Sequence, residues 1–61
     1  MKVGDVLNLI ERECTVTVIS EEIGELWNGL LMDVPEMTKQ YNLTGMDVTS
    51  NEADIVVFVK L

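Results

Sequence analysis

Eleven aspartates and glutamates, against four lysines and arginines, are the groups in this 61-residue chain numerous enough to do chemistry. Paired carboxylates bind Mg²⁺ or Ca²⁺, or move protons, when they stand at the spacing of a metal loop or converge on one point. Glu21, Glu22 and Glu25 crowd one short segment, and Asp47 and Thr49 share one strand face, yet neither group reproduces a calcium loop or a metal-nuclease pattern. Nucleophilic catalysis has still less to work with. Cys14, Ser20 and Ser50 have no histidine anywhere in the chain to activate them, and nothing in sequence sets Lys2, Lys39 or Lys60 apart as a nucleophile. The expectation is a protein that is not an enzyme and uses no cofactor or metal. Its enzymatic alternative is a metal-assisted action on DNA, altering topology or nicking.

The formal net charge of −7 repels phosphate backbones, and Lys2, Arg12, Lys39 and Lys60 are scattered rather than clustered, so direct nucleic-acid binding is not expected. The same scarcity of cations disfavours a second alternative, a sponge for an immune signalling nucleotide. An acidic surface suits a basic protein partner, reached by electrostatic steering, or simply keeps an apolar small protein dispersed. The candidate partner-binding acids are Glu21, Glu22, Glu25, Asp33 and Asp47. Carboxylates on alternate strand residues lie about 6.5 to 7 Å apart, near the spacing of successive phosphates. Mimicry of nucleic acid needs them on one continuous face, however, and the sequence spreads them over the first helix, both turns and the second helix.

The elements that must position these groups follow from periodicity. Val3, Val6, Leu7 and Ile10 recur at helical spacing and predict a first amphipathic helix that cannot run far beyond Glu13. Cys14 to Ile19 then alternates as a β-branched strand with Val16 and Val18 inward. Ser20 to Gly24 reads as a hairpin loop, Gly24 supplying a positive backbone angle, and Glu25 to Leu31 as the returning strand with a bulge at Gly29. Asp33-Val34-Pro35-Glu36 predicts a second helix capped by Asp33, with Val34, Met37 and Tyr41 on its inner face and Asn42 at its exit. A third strand over residues 43–49, a turn over 50–53 and a final strand from Asp54 complete an α-β-β-α-β-β order. One α+β domain over residues 1–61 is expected, built on a four-stranded antiparallel curved sheet or a half-open barrel with two short helices.

The final strand is the most informative element. Ile55, Val57, Val59 and Leu61 line one side and Val56 and Phe58 the other, the pattern of a strand covered on both faces. A chain of about 60 residues buries only about 60% of its unfolded surface, and small domains recover stability from disulfides, metals or oligomerisation. Cys14 is the only cysteine, so an intramolecular disulfide is excluded and the thiol is read as a small core residue in a reducing cytoplasm. Oligomerisation remains, as a dimer or larger homo-oligomer, with Trp27, Leu31, Val56 and Phe58 as the expected self-interface. Trp27 can serve there or as the centre of the core. The longest apolar run, Ile55 to Val59, is far too short for a membrane span, and no targeting segment follows Met1-Lys2. A cytoplasmic protein without membrane contact is expected.

The opening Met1-Lys2-Val3-Gly4-Asp5-Val6-Leu7, the segment Glu25-Leu26-Trp27-Asn28-Gly29 with Asp33-Val34-Pro35 after it, and the closing strand resemble small acidic accessory proteins of phages and prophages of Firmicutes. That group includes inhibitors of bacterial immunity of the anti-CRISPR and anti-Hachiman kinds. The resemblance implies an anti-defence inhibitor acting in the host bacterial cell by binding, with the basic surface of a host defence nuclease or helicase as the implied target. It carries over no catalytic residue.

Overall fold

The computed structural model describes residues 1–10, 13–48 and 54–61. The elements run α1 (Val3–Leu7), β1 (Thr15–Ser20), β2 (Gly24–Leu30), a 3₁₀ turn (Leu31–Asp33), α2 (Glu36–Lys39), β3 (Asn42–Val48) and β4 (Asp54–Lys60). The α+β class and the α-β-β-α-β-β order match expectation. The sheet does not: its order is β2-β1-β4-β3, with both hairpins antiparallel but β1 and β4 parallel at the centre, so the sheet is mixed. It is also open rather than barrel-like, with β2 and β3 as edges. The doubly apolar β4 has taken a central place beside the β-branched β1, where each gains a neighbour on either side.

The inner face carries the core. Val16 and Val18 of β1 align with Ile55 and Val57 of β4, and these residues, with Val59, are at most 3% exposed. Val3 and Leu7 of α1, Cys14 and Val34 complete the cluster, and α2 lies against α1. Alternation at the two-residue period puts every second residue of β1 and β4 into this layer. The five-residue α1 is shorter than its periodicity predicts: beyond Leu7 the amides of Leu9 and Ile10 bond to the carbonyls of Val6 and Leu7, a tighter winding that closes the helix. At its start the Lys2 amide donates to the Asp5 carboxylate at 3.0 Å.

Several local expectations are corrected. Asp33 does not cap α2; it belongs to the 3₁₀ turn, and Pro35 precedes the helix without a side-chain cap. Met37 is 75% exposed, while Thr38 turns inward with Val34. Asn42 opens β3 and bridges to Lys2 instead of ending the helix. The bulge in β2 falls at Leu26, since Val18 pairs with Trp27 and Ile19 with Glu25. Gly29 has a different reason for being glycine. A β-carbon there would stand 2.9 Å from two atoms of the Trp27 ring, which lies across it. Gly24 does take the expected positive φ, at 100°. The predicted turn over residues 50–53 lies outside the described residues. Among the described residues no helix is long and apolar enough to cross a membrane.

Gly29→Ala therefore forces the Trp27 ring aside. The expected cost is about 1 to 3 kcal/mol in denaturant unfolding, as for other overpacked sites, with a shift in the emission of the single tryptophan. An unchanged midpoint and spectrum would contradict the packing described.

Candidate interaction surface

Cross-strand partners share a face of a sheet, so the register defines the outer surface row by row. One row runs Asn28, Thr17, Val56, Asp47; the next runs Glu25, Ile19, Phe58, Gly45. Beyond the first lie Leu30, Thr15 and Asp54, and at the opposite end Lys60 and Asn42. The centre is thus apolar, with Ile19, Val56 and Phe58 half-buried by their neighbours within the sheet. None of the three belongs to the core or packs against it. Phe58 lies beside Gly45, with ring carbon Cδ2 at 3.6 Å from where a β-carbon would stand, so the glycine flank is partly covered by the aromatic ring. The rim is charged: Glu25, Asp47 and Asp54 are exposed around the apolar centre, with Lys60 at one end.

The expected self-interface residues divide between two faces. Val56 and Phe58 lie together on the outer surface, as the strand period requires. Trp27 aligns with buried Val18, so it stands on the inner side, where it and Leu31 pack against the core while remaining partly accessible. Ile19 and Thr17 are the members of the outer surface that sequence reading missed. They are the residues left over when Val16 and Val18 are assigned inward, and only the parallel pairing with β4 brings them beside Phe58 and Val56.

The candidate acids do not converge either. Glu21 and Glu22 sit exposed in the hairpin turn, Glu25 and Asp47 occupy opposite edges of the outer face, and Asp33 is exposed in the 3₁₀ turn. The hairpin turn and Asp33 flank opposite ends of β2, a strand of seven residues spanning about 20 Å. The hairpin turn itself is well ordered by one buried group. Ser20 Oγ accepts from the amides of Glu22 and Ile23 at 3.2 and 3.3 Å, fixing the backbone that presents Glu21 and Glu22.

Ser20, one of the hydroxyl candidates, is 2% exposed. Cys14 is buried, as its place at the start of a strand predicts. A cleft of about 300 Å³ between the two helices is lined by Lys2, Gly4, Asp5, Asn8, Glu36, Lys39 and Gln40. Its lysines are already engaged, Lys2 Nζ with the Gln40 carbonyl at 3.0 Å and Lys39 Nζ with Glu36 at 3.3 Å. Among the described residues no group of three or more His, Cys, Asp or Glu side chains is placed to hold a metal ion. Ser50 lies outside the described residues.

No family model, curated protein or solved structure gives a significant match to this chain.

Replacing Ser20 by Ala removes the acceptor that holds the hairpin turn. We expect a loss of about 0.5 to 1.5 kcal/mol, the usual net value of a hydrogen bond, with faster amide exchange at Glu22 and Ile23. Unchanged exchange at both amides would show that the hydroxyl does not organise the turn.

Proposed function

We propose that this protein is a non-enzymatic binding module that self-associates through the outer face of its sheet and offers its acidic groups to a basic protein surface. The observation that supports this most is the placement of Ile19, Val56 and Phe58, side by side on the face opposite the helix-covered core. Burial of about 25 cal/mol per Å² of apolar surface favours covering such a patch, and a domain of this size has little other means of adding to its core.

The acids of the hairpin turn, Glu21 and Glu22, project from an end of the sheet and stay accessible when the outer face is covered. They and Asp33 are the groups best placed to meet a partner, while Glu25 and Asp47 belong to the rim of the self-interface. Trp27 and Leu31, on the inner side, contribute to the core rather than to this interface. The likeness to phage accessory proteins supports a basic surface on a host defence nuclease or helicase as the target, bound and thereby inhibited in the host cytoplasm. Long-range attraction between such surfaces raises the association rate and is screened by salt.

The test is native mass. Val56→Asp or Phe58→Asp places a charge in the middle of the outer face, where an assembled protein must bury it at a cost of several kcal/mol but a lone subunit keeps it in water. Both variants are expected to retain the wild-type circular dichroism and to sediment as single subunits under conditions where the wild type is larger. A folded variant with the wild-type assembly mass would exclude this face.

A further inference from the structure

Resting on the reading that the outer face joins two copies, we infer that they stack with their β4 strands antiparallel, Val56 of each against Phe58 of the other and Asp54 of each against Lys60 of the other.

A two-fold interface must be complementary to itself, since residue i of one copy meets j of the other and j meets i. The outward residues of β4 satisfy this about Val57. Asp54, Val56, Phe58 and Lys60 alternate outward along the strand, and reversing their order sets an acid over a base at both ends and a small apolar residue over a large one in the middle. The rest of the face agrees with the same reversal. Val56 shares its row with Asn28, Thr17 and Asp47, and Phe58 shares its row with Glu25, Ile19 and Gly45. Exchanging the two rows lays Thr17 over Ile19, Asn28 over Glu25, and Asp47 over Gly45, which sets no side chain of its own against the carboxylate. Among the described residues of these rows no carboxylate then faces a carboxylate, although the protein carries a net charge of −7.

The competing two-fold arrangement keeps the strands parallel and lays β1 over β4. It sets Ile19 on Phe58 and Thr17 on Val56, but it turns Asp54 toward Thr15 and gives the Asp54 and Lys60 charges no mutual contact. Charge complementarity selects the antiparallel stack. Its size is adequate. Four strands about 4.8 Å apart and about 20 Å long present a face on the order of 400 Å², so a pair covers on the order of 1,000 Å² once side-chain relief is included, at the lower bound for a specific interface. Aligned sheets pack about 10 Å apart at about −30°, which suits a layer built of Val, Ile, Thr and one Phe.

Charge exchange tests the pairing. Asp54→Lys alone sets lysine against lysine, and Lys60→Asp alone sets aspartate against aspartate, so each variant is expected to dimerise roughly tenfold more weakly than the wild type at low salt. Mixed in equal amounts they form a heterodimer in which both contacts are attractive again, and dimerisation is expected to return to the wild-type strength. Disulfide trapping gives a second reading that does not depend on those charges: Val56→Cys mixed with Phe58→Cys should cross-link between the two variants, whereas Val56→Cys mixed with Thr17→Cys should not. A wild-type protein that stays monomeric, its outer face left for some other partner, would overturn self-association and this geometry together. A dimeric wild type whose mixed variants show no recovery, or which cross-links residue 56 to residue 17, would overturn the antiparallel stack alone and leave self-association standing.

Discussion

The parallel pairing of β1 with β4 is the contact on which the rest of the molecule depends. It joins two hairpins that would otherwise be separate, and neither hairpin alone would be more than marginally stable in water. Its inner side, Val16 and Val18 beside Ile55, Val57 and Val59, is the buried layer on which α1 rests. Its outer side, Thr17 and Ile19 beside Val56 and Phe58, is the surface to which we assign the function. Core and proposed interface are thus two faces of one ladder, and they cannot be varied independently.

That coupling accounts for the economy of the fold. Among the described residues two helices, of five and four residues, lie on one face of a four-stranded sheet. The opposite face is left with apolar side chains at its centre and carboxylates at its edges. In a larger α/β protein a second layer of helices would take that place. On the proposed reading a second polypeptide takes that place, and the acidic rim would restrict it to another copy in the one orientation that offsets the charges, or to a partner with a basic margin.

Much of this was legible from the residues. The alternation in β4 established two apolar faces, Gly24 marked the hairpin turn, and the order of helices and strands followed from changes of period. The parallel centre of the sheet was not legible, because alternation fixes which residues share a face but not which strand lies next to which. The same gap hid Ile19, whose relevance depends wholly on its neighbour Phe58. Trp27 was ambiguous for a related reason: its side is set by the bulge at Leu26, and a bulge shifts every later residue to the other face. The acids were visible individually, but it was not legible that the hairpin turn and Asp33 lie at opposite ends of β2.

On the proposed reading the sheet has more apolar surface than its own chain can cover. Small-angle X-ray scattering of the intact protein across a concentration series is its most direct test, because a single subunit is small and compact, with a Cα radius of gyration of 10.4 Å. Forward scattering per unit mass and radius of gyration are both expected to rise with concentration and level at the values of a stacked pair. A radius that stays at the single-subunit value up to millimolar protein would contradict it.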